Sequence, residues 1–100
     1  MKRIRVSAPA ERDLDAIWVY LARESGSFEI ADRAVESITE VFSLLASHPE
    51  AAPARDDIQP GLRGFPTGNY IVYYSVTGSR VVVAPILHAM RDQFSAFRAR

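Results

Sequence analysis

One hundred residues with no cysteine, twelve basic and twelve acidic side chains leave room for one domain around one core. An apolar share of 48% and a charged share of 24% fit a globular chain, not a disordered or fibrous one. The missing cysteine excludes disulfides, thiolate zinc sites, iron–sulfur clusters and a cysteine nucleophile.

No apolar run approaches the ~18 residues of a membrane span. The basic start, Met1 to Ser7, lacks the apolar stretch of a signal peptide, so a cytoplasmic protein is expected. The zero net charge hides a split. Residues 11–57 hold eleven acids and four bases (Arg12, Arg23, Arg33, Arg55), whereas the rest holds eight bases and one acid, Asp92. Such a split orients a partner or draws a polyanion to one side. Acid-rich surface helices would produce it as well.

Residues 2–6 alternate Arg3 and Arg5 with Ile4 and Val6, which predicts a strand with one wet face. Ser7, Pro9, Glu11 and Asp13 then mark a helix start. Leu14, Ile17, Trp18 and Leu21 recur at helical spacing, which predicts a helix over about 9–24. Gly26 suits its left-handed cap, and Ser27 caps a second helix over 28–47. The stripe of that helix is Ala31, Ala34, Val35, Ile38, Phe42 and Leu45, widened by Val41 and Leu44. Two amphipathic helices on so short a turn predict an antiparallel hairpin.

Residues 46–61 carry three prolines and read as one long loop, a length that is often functional. The last third reads as strands: 62–65, a turn at 66–69, then 70–76, a turn at 77–79, and 80–88. Pro85 inside the last strand implies an edge or a bulge. The tail after Arg91 either forms a short helix on Phe94 and Phe97 or stays mobile. The order is β-α-α-β-β-β. The expected fold is α+β, one domain over 1–100, with the helical hairpin packed on one face of an antiparallel sheet.

The two histidines, His48 and His88, lack ligand spacing, and Asp56-Asp57 has no third partner, so neither a metal nor a cofactor is expected. His48 reads as a solvated loop residue. His88, at the end of an apolar strand, reads either as a half-buried ring bonded to backbone or as a general base at a basic site. Arg63, Arg80, Arg91, Arg98 and Arg100 gather near the sheet beside Tyr70, Tyr73 and Tyr74. Arginine among aromatics serves single-stranded nucleic acid and protein interfaces alike. Strand alternation sends Tyr73 and Tyr74 to opposite faces, so they cannot line one groove. Metal-free RNA cleavage would have to use His88, Arg63 and Arg91 as base, cation and acid.

The run Ala10-Glu11-Arg12-Asp13-Leu14-Asp15-Ala16-Ile17-Trp18-Val19-Tyr20-Leu21 resembles the first helix of ParE-like toxins in the RelE/ParE superfamily. Leu44-Leu45-Ala46-Ser47-His48-Pro49, Gly61-Leu62-Arg63-Gly64-Phe65-Pro66, Tyr70-Ile71-Val72-Tyr73-Tyr74 and Ile86-Leu87-His88-Ala89-Met90-Arg91-Asp92 follow in the same order. The resemblance implies a type II toxin in complex with a ParD-like antitoxin and acting on DNA gyrase. Nucleic acid would be met at most through the antitoxin. It also leaves two alternatives: a ribosome-dependent mRNA endonuclease of the RelE type, and a non-toxic antitoxin-binding protein. Of the RelE-type catalytic pattern only an arginine near Arg63 and Arg91 correspond. Ala89 stands where nuclease relatives carry a tyrosine, so no enzyme activity is expected. The candidate residues for binding target or antitoxin are Trp18, Arg63, Tyr73, His88 and Arg91.

Overall fold

The structure, a computed structural model, describes residues 1–98. Strand β1 (Arg3–Val6) leads into helices α1 (Ala8–Ser25) and α2 (Phe28–Ser47). Strands β2 (Arg63–Thr67), β3 (Tyr70–Thr77) and β4 (Arg80–His88) follow, then a short helix α3 (Gln93–Arg98). Arg100 of the basic set lies outside the described residues.

Local chemistry explains the helix boundaries. The Ser7 hydroxyl accepts the Ala10 N–H at 3.2 Å, and Pro9 in the first turn gives up a donor that has no helical partner there. Gly26 ends α1 at φ 68°, a left-handed conformation that glycine adopts without a side-chain clash. One residue later Ser27 accepts the Ile30 N–H and starts α2. The helical hairpin therefore follows from two caps placed back to back.

The sheet order is β1-β4-β3-β2. The β2-β3-β4 meander is antiparallel, as the short turns predict. β1 departs from the all-antiparallel expectation: it joins β4 in parallel, with Arg3 beside Arg80 and Val6 beside Val83, so the sheet is mixed. Parallel neighbours need a crossover connection, and the helical hairpin lies within it. Alternation in a sequence marks a strand but not the direction of its neighbour.

Pro85 sits at a bulge. Tyr74 opposes Val83 and Val72 opposes Ile86, so Ala84 and Pro85 together face Tyr73. β1 has already ended opposite Val83, and no ladder bond is asked of the proline nitrogen. Pro66, expected in a turn, lies within β2, an edge strand that tolerates it; the turn shrinks to Gly68-Asn69.

The main core joins Ala10 and Ile17 of α1 and Ile38, Val41, Phe42 and Leu45 of α2 to Val72, Tyr74, Val81, Val83 and Ile86 of the sheet. Phe42, on the predicted stripe of the second helix, is buried here. A second, smaller core fills the opposite face: Leu62, Tyr73, Leu87 and Ala96, with Ile58, Ile71 and Phe97 against them. The tail helix thus exists, but it packs through Ala96 and Phe97, and Phe94 is 48% exposed. Tyr73 and Tyr74 face opposite sides, as alternation requires.

Candidate functional site

The long loop proves to be strapped to the sheet. The Tyr74 hydroxyl donates to the Pro49 carbonyl at 2.8 Å and accepts the Ala52 N–H at 3.3 Å. Arg63 Nη1 donates to the Ala52 carbonyl at 2.6 Å. Further along, the Arg55 N–H donates to the Leu62 carbonyl, and the Asp56 carboxylate accepts the Gly61 N–H. The Arg55 guanidinium grips Asp57 with two bonds of 3.1 Å. That grip holds the Asp57 carboxyl below its ordinary value and raises Arg55. Arg63, one of the candidate residues, is therefore half-buried and occupied by the fold.

Tyr73, another candidate, is buried completely beneath α3. Phe97 meets its ring edge-on at 4.9 Å, and its hydroxyl donates to Gln93 Oε1 at 2.6 Å. Gln93 in turn donates to the carbonyls of His88 and Arg91. One glutamine thus ties the end of β4, the following turn and the second core together. Tyr73 belongs to that core and offers no surface to a partner.

Trp18 clasps the two helices. Its Nε1–H donates to Asp32 Oδ1 at 2.7 Å, and its ring lies 5.4 Å from that of Phe28, which is 71% exposed. The packed pair leaves an aromatic ledge toward the end of the hairpin that carries its turn.

His88 and Arg91 come together at a groove. Tyr20, Leu21 and Glu24 of α1 form one wall, and Tyr70, His88 and Arg91 the other; its volume is about 820 Å³. His88 is exposed, not half-buried. Its Nδ1 accepts the Met90 N–H at 3.1 Å, and Tyr70 meets the ring edge-on at 5.3 Å. With Nδ1 taken up by that backbone N–H, Nε2 is the ring nitrogen left for a ligand. Asp13 of α1 accepts the Ile86 N–H at 3.0 Å, just past the point where β1 ends. Beyond it, among the described residues, the outer edge of β4 has no strand beside it.

Arg63 does not reach this groove. Its register partner Tyr74 and His88's partner Tyr70 stand four residues apart on β3, roughly 13 Å of strand. β2 and β4 also flank β3 on opposite sides. Base, cation and acid are not brought onto one phosphate by His88, Arg63 and Arg91. Asp13 and Glu24 were not legible as groove residues, because in sequence they read only as acids of a solvated helix face. Among the described residues no cluster of three metal-ligating side chains occurs, and no helix is long and apolar enough to cross a membrane.

A sequence profile described as the ParE toxin of type II toxin–antitoxin system, parDE, matches residues 4–93. The chain belongs to the ParE toxin family. It is 34% identical to Toxin ParE1 of Caulobacter vibrioides over 88 residues, which is 88% of this chain and 90% of that one. Toxin ParE3 of the same organism is 31% identical over 87 residues, 87% of this chain and 86% of that one. The fold is shared with the chromosomal ParDE system of P. aeruginosa (TM-score 0.76, 24% identity, 88% of this chain and 96% of that one). It is shared again with the RelBE2 complex of Mycobacterium tuberculosis (TM-score 0.63, 19% identity, 87% and 96%). Family membership makes this a ParE-type toxin of a type II toxin–antitoxin system.

Proposed function

We propose that this ParE-family toxin acts by binding a protein target, DNA gyrase, without chemistry of its own, and that a ParD-like antitoxin silences it in the cytoplasm. The observation that carries the binding reading is the groove between α1 and the open edge of β4. It has an apolar floor at Ile17, Leu21 and Ile86, an exposed tyrosine at Tyr20, and charges of both signs at Glu24 and Arg91. An extended antitoxin segment laid there would pair with the free strand edge and bury the ledge of Val19 and Tyr20. Burial of about 1,600 Å² would be ordinary for such a pair. The names of the structural neighbours, ParDE and RelBE2 complexes, support an antitoxin as the partner.

Two features support binding over cleavage. Arg63 is bonded into the loop and held away from His88, and Nδ1 of His88 is already taken up by the Met90 N–H.

The test is macromolecular synthesis after induced expression in bacteria, following labelled DNA and labelled protein over the first minutes. Early loss of DNA synthesis with translation intact supports gyrase, and inhibition of supercoiling by the purified chain completes the case. Early loss of translation would overturn it for the nuclease reading, with His88→Ala as the decisive variant. No effect on either, with tight antitoxin binding, would leave a non-toxic antitoxin-binding protein.

A further inference from the structure

We propose that the bare half of the sheet's second face, built from β1 and the start of β4, holds the phosphate backbone of duplex DNA. Ile4 and Val6 pack into the main core, so Arg3 and Arg5 point to the other side of the sheet. The register sets Arg3 beside Arg80 and Arg5 beside Val82. On the far side of β4, Thr77 stands beside Arg80 and Ser75 beside Val82. Tyr73 faces the second core, and alternation from it sends Ser75 and Thr77 to the same face. Two rows result: Arg3, Arg80, Thr77, and Arg5, Val82, Ser75. At sheet spacings the three arginine Cα atoms fall within about 8 Å of one another.

Among the described residues this cluster has no ion-pair counterweight. The α3 helix covers the half of the face around Tyr73 and Leu87, whereas Arg3, Arg5 and Arg80 are all exposed. Among the described residues the ion pairs are Glu29 with Arg33 and Asp57 with Arg55, and neither involves these three. Like charges side by side on neighbouring strands repel. The acids that could offset them ride mainly on α1 and α2, across the sheet. The molecule therefore presents a cationic end to an outside anion.

The chemistry selects phosphate. Guanidinium forks match phosphate oxygens two at a time, and neighbouring hydroxyls add donors for the same oxygens. An acidic protein segment would want a buried apolar anchor, and Val82 is the one apolar side chain in the two rows. Single strands would want exposed aromatics for stacking, and the tyrosine of this face is sealed under α3. A cationic sheet surface without an anchor suits the backbone of a duplex, independent of its sequence. The inference stands apart from the gyrase reading, since it uses none of the groove residues.

The test is fluorescence anisotropy of a labelled mixed-sequence 20-base-pair duplex (about two helical turns) titrated with the purified chain at several salt concentrations. Three neutralised phosphates predict a slope of log K against log salt of about −2.7. The triple variant Arg3→Gln, Arg5→Gln, Arg80→Gln is expected to bind about tenfold more weakly or worse at low salt, with a slope near zero. A control with the same loss of charge on the helices, Arg12→Gln, Arg23→Gln, Arg33→Gln, should keep the slope. Should the triple variant melt early, Arg5→Gln alone must still reduce the slope by about 0.9. Equal losses in both triple variants, a wild-type slope shallower than about −1, or tighter binding of the single strand would each overturn the proposal. So would competition by poly-glutamate as effective as that by the duplex, which would point to an acidic protein partner.

Discussion

Tyr74 and Arg63 satisfy the two backbone groups of a single buried residue: the Tyr74 hydroxyl accepts the Ala52 N–H, and the Arg63 guanidinium donates to the Ala52 carbonyl. The two side chains stand opposite each other on neighbouring strands. Between them they turn a proline-rich loop into a fixed flap against the sheet. Tyr74→Phe keeps the ring in the core but strands the Ala52 N–H, and should cost about 1–3 kcal/mol. For a chain this size each kcal/mol lowers the melting temperature by about 4–8 °C. Arg63→Met strands the carbonyl. The double variant should cost less than the sum of the two singles, since the loop is already released by the first. Strictly additive losses in thermal unfolding would show that the two bonds do not act on one unit.

Gly64 is held to its identity by space, not by backbone angle. A Cβ added there would lie 3.0 Å from Tyr73 Cε1 and 3.2 Å from Ile71 Cγ2. Both neighbours belong to the second core, and Tyr73 is wedged under Phe97. Gly64→Ala should therefore destabilise by about 1–3 kcal/mol through overpacking. The near-UV circular dichroism of the tyrosines should change as well. An unchanged melting temperature would mean that Tyr73 and α3 can yield freely.

Tyr70, Tyr73 and Tyr74 all carry pKa values raised above the ordinary 10.0, chiefly by burial. A buried phenol that keeps its proton in the fold contributes fully below pH 10.0. That contribution is lost as the pH climbs through the raised folded value. Stability should thus fall on the alkaline side. The tyrosinate absorbance of these three should appear together with unfolding, in one steep step. Gradual ionisation at pH 10 with the fold intact, followed by absorbance and far-UV circular dichroism on the same sample, would contradict the burial.

Most of the hairpin was legible because every signal agreed there. The Ser7 cap, Pro9, Gly26 and the Ser27 cap lie where the structure has its helix ends, and Ile17, Ile38 and Leu45 fall on the stripe that is buried. The meander and the bulge at Pro85 were legible for the same reason. The second core was not. Tyr73 and Leu87 alternate with residues of the main core, so their strands read as apolar on both faces with nothing to show what covers the second. The six-residue helix that covers it is too short to carry a periodic pattern. The candidate site was legible only in part. His88 and Arg91 meet at the groove, but Arg63 and Tyr73 are drawn into the fold by hydrogen bonds that no spacing rule announces.

Asp92 governs that short helix. Its carboxylate accepts the Ser95 N–H at 3.2 Å and the Ser95 hydroxyl at 2.8 Å, which holds its pKa below the ordinary 3.8. A depressed carboxyl pKa contributes stability that is present above the unfolded value and lost as pH falls through the folded one. Acid should therefore loosen α3 below about pH 4. Asp92→Ala should do the same at neutral pH, whereas Asp92→Asn, which keeps an acceptor, should do so less. Amide exchange at Ser95 and Ala96 reads the effect directly. Equal exchange in wild type and Asp92→Ala would remove the cap from the account.

Asp13 joins α1 to the strand edge where β1 has run out. Its Oδ2 accepts the Ile86 N–H at 3.0 Å, a charge-assisted bond at the rim of the groove. Replacing it by alanine leaves a half-buried donor facing an apolar wall and should cost about 1–3 kcal/mol. Asp13→Asn keeps an acceptor and should recover part of that loss. The decisive reading is local: exchange of the Ile86 amide should accelerate in Asp13→Ala far more than that of Val81, which lies under β1. A uniform acceleration across β4 would mean that Asp13 supports the sheet as a whole. A change confined to Ile86 would mark this carboxylate as the stop that keeps the open edge from fraying. The same stop sets where an extended segment added along β4 could begin to pair.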